Sequence, residues 1–540
     1  KMILAHEMGT GKTVTSIYGF EKMRHKGKAK KAIVIVPSGL RDNFAKSGIA
    51  KFTDSSWQVI GSSSEKSKKP GFIRPGEESD KDYTIVSYAM FRRDPVGFMR
   101  RTGADTIIAD EFHKTRNEQA ATFRALFVAR HFATNFMGLT ASLINNNPSE
   151  IATLLTLSEG KRDFTPRQFQ NRYTKTIGFT KGFGSGEKKI VGMKNVEDLS
   201  ERTGTKIDYI QTKDLKGKTM PKKDTSTVEV PMSDEQYRLY QLALDRLGPI
   251  KTHITRRDPN ITVRDAKALF AQLSQARQLA NSVSMGRSDV SLTQSSSRTP
   301  KVKKLLDDAE GHLLERPDNK AVLYSNLVRG GVDVLSAGLK KRGISHSIFV
   351  GKGTDVGGGK VTGISRQQGV EDYKQGKKRV IVLSGAGAEG LDLKNSTGFF
   401  SLDGHFNPQR VLQAEGRARR LGGQEHRPAE ERVVKVRRYQ STVPLGKRPG
   451  VLGKIIGRKT PQTTDQWMDS VARRKYRQQE EFYQAYKTKK HLYKYVDEKG
   501  KTRYVYTKKP KKPSGFFSGF FSKKKAPEVG PNPPPGIKGL

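Results

Sequence analysis

The chain is 540 residues long, enough for two to four domains that each bury a core. Its 100 Lys+Arg against 54 Asp+Glu leave a formal net charge of +46, more than solubility requires, which implies a polyanionic partner, most obviously nucleic acid. Zero cysteines exclude disulfides, iron–sulfur clusters and cysteine zinc sites; the ten histidines lack ligand spacing, so no metal beyond nucleotide-bound Mg²⁺ is expected; and no run approaches the roughly 18 apolar residues of a membrane span, so integral membrane association is not expected.

The chain opens with apolar Met2-Ile3-Leu4 running into Ala5-His6-Glu7-Met8-Gly9-Thr10-Gly11-Lys12-Thr13, which reads as a strand entering a phosphate-binding loop. Gly9 and Gly11 let the backbone curl so that its N–H groups converge on phosphate oxygens. Lys12 can then reach the β- and γ-phosphates, and the Thr13 hydroxyl can bind Mg²⁺. The usual pattern has its first glycine at position 6, which here is His6, and a glycine-rich surface turn is the blander reading of the loop taken alone. Few residues precede the loop where an adenine-reading segment is expected, so the chain reads as a piece of a longer polypeptide.

Strand-like runs at Met2–Ala5, Ala32–Val36, Thr84–Ser87, Thr106–Ala109 and Phe136–Leu139 alternate with helical patterns, as a parallel α/β sheet requires. The run Ile107-Ile108-Ala109-Asp110-Glu111-Phe112-His113 puts two carboxylates at the end of a buried strand, where Asp110 can join a Mg²⁺ shell and Glu111 can orient or deprotonate water. In Gly138–Asn147 the small hydroxyls of Thr140 and Ser142 can bond that segment and pass on the state of the γ-phosphate. From about 160 to 230 the chain is Lys/Gly-rich and reads as an insertion projecting from the sheet. Residues 233–282 then read as helical, with Gln236, Tyr240, Ala243 and Leu244, and later Ala268, Leu269, Ala271, Leu273 and Ala276, at helix spacing. Ser291–Ser297 reads as a linker.

A second α/β set follows, with strands expected at Ala321–Ser325, Ser347–Val350, Val380–Ser384 and Phe399–Leu402. Two such blocks in one ATPase suggest a nucleotide held between them. A helix over Trp467–Tyr486, with Val471, Tyr476 and Phe482 among its larger apolar residues, is expected to brace the second block. Residues 485–540 carry 15 Lys/Arg against 3 Asp/Glu and end in Pro531-Asn532-Pro533-Pro534-Pro535, a composition that reads as disordered. Within it, Phe516-Phe517-Ser518-Gly519-Phe520-Phe521 between lysines suits stacking on single-stranded nucleic acid, insertion into an anionic membrane surface, or simple docking of a basic tail on a protein partner.

The order of these motifs resembles the superfamily-2 helicases, most closely their Swi/Snf-like branch of double-stranded-DNA translocases. Ala5–Thr13 looks like motif I, Val34–Leu40 like Ia, Thr84–Tyr88 like Ib, Asp110–His113 like the DEAH-type motif II and Leu139–Asn147 like III. Lys320–Asn326 looks like motif IV and Leu383–Leu393 like V; Phe406–Gln409 with Gln413–Gly422 is similar to the branch's Trp-Asn-Pro segment and motif VI. Met220–Lys223 and Met232–Tyr237 also resemble that branch. Three positions depart from it: His6 where Asp is usual, Leu143 where Pro is expected, and motif V as Gly387-Ala388-Glu389-Gly390-Leu391-Asp392. Motif V, Ala5-His6 and Asn147–Glu150 are also similar to transcription-associated ATPases of large DNA viruses, which suggests a viral or phage origin.

The resemblance implies two RecA-like parallel-sheet lobes of an α/β class, at 1–160 and 296–485, with a helical and irregular insertion and connector at 161–295 and a disordered basic tail at 486–540. It implies ATP bound by Gly9, Thr10, Gly11, Lys12, Thr13 and Gln413, with Mg²⁺ on Thr13 and Asp110. Catalysis would fall to Lys12, Asp110, Glu111, Arg417 and Arg420, with coupling through His113, Thr140, Ser142, Gly390 and Asp392. Gln413, Arg417 and Arg420 fall at i, i+4 and i+7, one face of a helix. Nucleic acid, expected to be double-stranded DNA, would meet Ser38, Ser87, Tyr88, Asn326 and motif V, mainly through phosphates. Motion along double-stranded DNA is the expected output, in an intracellular setting, or in a host cell or virion if viral. A viral transcription-associated or RNA helicase, and an ATPase-inactive nucleic-acid-binding structural component, are the alternatives.

Overall fold

Runs that are apolar and β-branched at every position have no face suited to water, so they settle inside sheets covered on both sides. The computed structural model bears this out; it describes residues 1–61, 72–73, 76–144, 147–177, 189–211, 220–246, 270–351, 353–385, 391–420, 422–447, 462–487, 492–496 and 502–506. Strands β1 (Met2–His6), β2 (Ala32–Val36), β3 (Trp57–Ile60), β4 (Phe72–Ile73), β5 (Tyr83–Ser87), β6 (Thr106–Ala109), β7 (Asn135–Thr140) and β8 (Ile207–Ile210) build the first sheet, in the order β8-β1-β7-β6-β2-β5-β3-β4. Every pairing in it is parallel. Helix α1 (Lys12–His25) leaves the tip of β1 and lays Ile17 and Phe20 against Leu4, Val34 and Leu139.

The second sheet is also parallel throughout. It contains β9 (Lys222–Pro231), β10 (Ala321–Ser325), β11 (His346–Phe349), β12 (Val380–Ser384), β13 (Gly398–Ser401) and β14 (Val433–Thr442), in the order β9-β14-β13-β10-β12-β11. Alternate residues serve opposite faces, Ala321 and Leu323 packing into one apolar core and Val322 and Tyr324 into the other. The two sheets are the expected lobes.

The segment read as a projecting insertion supplies an edge strand to each sheet, since β8 pairs with β1 and β9 with β14. Its lysines hide these strands, because an edge strand with one wet face carries charge without losing its ladder. The short helix α2 (Tyr88–Phe91) follows β5, and α3 (Asp234–Asp245) and α4 (Phe270–Asn281) follow the helical pattern expected over 233–282, while Ala268 and Leu269 lie outside the described residues. The Ser-rich linker is instead a helix, α5 (Leu292–Arg298). Ser291 caps it by accepting from the Gln294 N–H while Gln294 reaches back, and buried Ser295 bonds Ser282 at 2.7 Å.

Motif VI begins on α6 (Pro408–Ala418), and the long α7 (Thr464–Lys487) crosses both lobes. At its start Trp467 is fully buried edge-on against Phe406, the Thr464 N–H donates to the Tyr240 hydroxyl at 2.7 Å, and Asp465 pairs with buried Lys301. Farther along, Gln479 and Tyr483 reach the first lobe. At about 1.5 Å per residue, 24 residues span roughly 36 Å, enough to bridge two domains. Val471 is buried and Tyr476 half-exposed; the side chain of Phe482 lies outside the described set.

Residues Lys1–Ala485 form one compact unit and Tyr486–Leu540 another. In the second, Leu492–Val496 pairs antiparallel with Thr502–Tyr506, so a composition that cannot bury a core still permits a local hairpin. The Phe516–Phe521 segment lies outside the described residues. Among those described, no helix is long and apolar enough to cross a membrane.

Candidate active site

The site grows from the tips of β1, β6 and β7. Gly9 (φ +76°) and Gly11 (φ +89°) adopt the left-handed backbone that the loop needs, and Gly11 begins α1 with no side-chain cap. An uncapped helix start directs its N–H groups and positive dipole end at a phosphate. A Cβ on Gly9 would meet the Met220 side chain at 2.6 Å, so the approach to β9 closes over the loop. Lys12 Nζ donates to the carbonyls of His6 at 2.8 Å and Glu7 at 3.2 Å, and Thr10 bonds the Glu7 carbonyl at 2.6 Å. Desolvation lowers the Lys12 pKa to about 8 against the attraction of Glu111 and Asp110.

The departure at position 6 has a partner. His6 is 1% exposed, and its Nε2 meets Asp208 Oδ2 of β8 at 2.7 Å. A carboxylate of the neighbouring strand thus stands against the position where the family carries Asp.

At the end of β6 the Asp110 N–H donates to the Ile35 carbonyl at 2.8 Å, and Asp110 Oδ1 accepts from the Glu111 N–H at 2.9 Å. Glu111 has φ +51°, a conformation that costs a non-glycine residue about 1–3 kcal/mol. It turns the carboxylate toward His113 Nδ1 (3.3 Å) and Arg417 Nη2 (3.9 Å). The turn is seated by Phe112, whose ring occupies the space that a side chain at Gly138 would need. Burial, and next the neighbouring Glu111, raise the Asp110 pKa to about 7. Burial also pushes Glu111 up, but His113, Arg417 and Lys12 outweigh it and hold Glu111 below the usual carboxylate range. The pair is split as chemistry at neutral pH requires: Glu111 is ionised and available as a base, and Asp110 is a carboxylate whose charge a cation would stabilise.

His113 Nδ1 lies 3.4 Å from Thr140 Oγ1, which donates to the Ser142 carbonyl at 2.8 Å. The expected coupling path from motif II to motif III is therefore contiguous. Leu143, which stands where proline is expected, uses what proline lacks: its N–H donates to the Tyr483 hydroxyl at 3.1 Å. Gln479 Nε2 bonds the Ile144 carbonyl at 2.7 Å, and Tyr483 stacks on Tyr209 with centroids 4.4 Å apart.

From the second lobe, Gln413 and Arg417 lie on α6, but α6 ends at Ala418. Arg420 therefore does not share their helix face. It enters from the turn beyond, where Nη2 bonds the Leu391 carbonyl at 2.9 Å and Nε stands 3.7 Å from Asp392 Oδ1. Burial, then repulsion by Arg417, lowers the Arg420 pKa to about 10. Glu111 Oε2, Asp392 Oδ1 and Arg420 Nε are buried and make no hydrogen bond, although Glu111 Oε2 faces His113 at 3.3 Å and Asp392 Oδ1 faces Arg420 Nε at 3.7 Å. Gly390 lies outside the described residues.

Of the residues expected to meet nucleic acid, Ser38 is exposed. Ser87 is buried and caps α2 by accepting from the Met90 N–H, and buried Tyr88 donates to the Asp110 carbonyl at 2.8 Å. Asn326 donates Nδ2 to buried Asp403 at 2.9 Å. Asp208, Tyr209, Asp403, Gln479 and Tyr483 were not singled out by sequence. The departures at positions 6 and 143 called for partners without saying where they lay.

The SNF2-related domain family matches residues 1–285, and the helicase conserved C-terminal domain matches 301–422. A putative ATP-dependent RNA helicase of Acanthamoeba polyphaga mimivirus is 24% identical over 453 residues, 82% of this chain and 86% of that protein. A probable chromatin-remodeling complex ATPase chain of Oryza sativa is 24% identical over 434 residues, 78% of this chain and 36% of that protein. The Sulfolobus solfataricus SWI2/SNF2 ATPase core in complex with dsDNA aligns over 82% of this chain and 83% of its own, at 17% identity and a TM-score of 0.35. The SNF2-related match alone spans more than half of the sequence, so the chain belongs to the SNF2-related ATP-dependent helicases and is an ATP-hydrolysing enzyme.

Proposed function

We propose that this chain is a double-stranded-DNA translocase that hydrolyses ATP between its two lobes. The observation that carries the reading is Arg417 of the second lobe standing 3.9 Å from Glu111 of the first. Glu111 accepts a proton from, or aligns, the attacking water, while Arg417 and Arg420 offset charge developing on the transferred phosphoryl group. Thr13 and Asp110 would hold Mg²⁺, a hard cation bound by few carboxylates together with substrate phosphates, and it would neutralise charge at the β- and γ-oxygens. Turnover opens and closes the lobes, and His113 and Thr140 relay the phosphate state to the coupling loop. A net charge of +46 supports a phosphate backbone as the track, with steep salt dependence and little sequence preference. The chromatin-remodeling name of one relative favours double-stranded DNA; the RNA helicase name of another makes RNA the competing track.

The test is steady-state ATP hydrolysis by the chain and by Lys12→Ala with no nucleic acid, double-stranded DNA, single-stranded DNA or RNA, at two salt concentrations. Strong stimulation by double-stranded DNA, lost in Lys12→Ala, is the expected result. Preferential stimulation by RNA would move the enzyme to an RNA track, and DNA binding without turnover above the mutant would leave a scaffold.

A further inference from the structure

Two departures from the family pattern, at and just beyond the tips of the paired strands β1 and β7, meet in one cluster. His6 at the base of the phosphate loop is bonded by Asp208 of β8. The next residue, Tyr209, stacks nearly parallel on Tyr483 of α7, with 11° between the rings. The Tyr483 hydroxyl accepts the N–H of Leu143 in the coupling loop, and Gln479, one turn earlier on α7, donates to the Ile144 carbonyl. The chain of contacts thus runs from phosphate loop to β8 to α7 to coupling loop. Leu143 is 2% exposed, so without Tyr483 its N–H would be buried with no acceptor in its present direction.

We infer that Tyr483 is a positioning residue: through the Leu143 N–H it sets the coupling loop, and through Tyr209 and Asp208 it ties that loop to the phosphate loop. The inference builds on the proposed ATP-driven cycle but names a contact that motif III cannot make with proline at this position. Because α7 is rooted by Trp467 in the second lobe, a shift between the lobes pulls directly on the coupling loop. This route from lobe motion to phosphate chemistry runs beside the one through Arg417. Met8 and Ala141 line an interlobe cavity of about 300 Å³ with Tyr209 and Tyr483, so the cluster borders the space between the lobes.

The experiment uses the full chain and Tyr483→Phe, which keeps the ring and its stack and removes the acceptor. Amide exchange of the peptide spanning motif III is read with and without a non-hydrolysable ATP analogue. ATP kcat and KM are read under whichever nucleic-acid condition gives the wild type its highest rate. The expected result is at least a tenfold faster exchange of the Leu143 amide, with kcat lowered 3–10-fold and KM within twofold. Leu143→Pro should lower kcat similarly, and Tyr483→Phe added to it should lower kcat no further. Unchanged Leu143 exchange in Tyr483→Phe overturns the inference whatever the wild type's stimulation. A proportional loss of kcat, KM and thermal midpoint overturns it too, since that is the signature of a packing role alone. Absence of stimulation in the wild type counts against the translocase reading and leaves the exchange result to decide this one.

Discussion

The two lobes share a fold and differ in how finished their catalytic groups are. In the first lobe, Glu111 is held in a costly left-handed conformation by Asp110, His113 and the Phe112 seat, and Lys12 rests on loop carbonyls. In the second, Arg417 approaches Glu111 only to 3.9 Å, and Arg420 hangs from the Leu391 carbonyl on a turn. In the proposed cycle the first lobe would be preorganised for water and phosphate, and the second would be armed by closure. Such a division would let the nucleotide bind before the chemistry is permitted, so that hydrolysis would report lobe motion.

The comparison breaks most visibly at Arg417. Arg417→Ala should lower kcat by about 10³-fold or more, the range of arginine-finger losses, while ATP binding measured by equilibrium titration persists. If ATP binding disappears instead, the second lobe already grips the ground state and the asymmetry is wrong. Glu111→Gln, in the preorganised lobe, should cost about 10²–10⁴ in kcat with KM little changed. A comparable loss in KM would mean that Glu111 serves nucleotide binding rather than the water.

A smaller effect sharpens the first-lobe side. Lys12 has its pKa lowered to about 8 by burial, and only the ammonium form attracts phosphate. Below pH 8 that charge is present and KM for ATP should be flat. Above it the group deprotonates, so KM should rise about tenfold from pH 7 to pH 9. A flat KM across that range would show that Lys12 keeps its proton despite desolvation.

The contrast between lobes also marks what was legible in the sequence. Ala32–Val36, Thr106–Ala109, Ala321–Ser325 and Val380–Ser384 were readable to the residue because central parallel strands are apolar throughout. Strands β9 and β14 were not, since their half-wet faces carry Lys222, Lys223, Lys435, Arg437 and Arg438 among the apolar positions. Ser291–Ser297 misled because serine is a turn residue by composition but a cap and buried hydrogen-bond partner by placement. Local motifs marked Lys12, Asp110 and Glu111. The pairs His6 with Asp208 and Leu143 with Tyr483 lie 202 and 340 positions apart, and no local pattern encodes a partner at that distance.

The smallest predicted effect compares two residues expected to meet nucleic acid, one in each lobe. Both turn inward: Tyr88 donates to the Asp110 carbonyl, and Asn326 donates to Asp403. Their targets differ, because Asp110 borders the reacting groups whereas Asp403 is a buried hub that also accepts from Asn281 and Ser325. Tyr88→Phe keeps the buried ring and removes one neutral hydrogen bond of about 1 kcal/mol, which corresponds to a roughly fivefold loss. That loss should appear in kcat, with DNA affinity in a filter-binding titration unchanged. Asn326→Ala, by leaving the Asp403 carboxylate short of donors, should instead lower the urea midpoint of the second lobe before it changes kcat. If Tyr88→Phe weakens DNA binding and spares kcat, the hydroxyl faces the track during turnover. The first lobe would then be less finished than its geometry indicates.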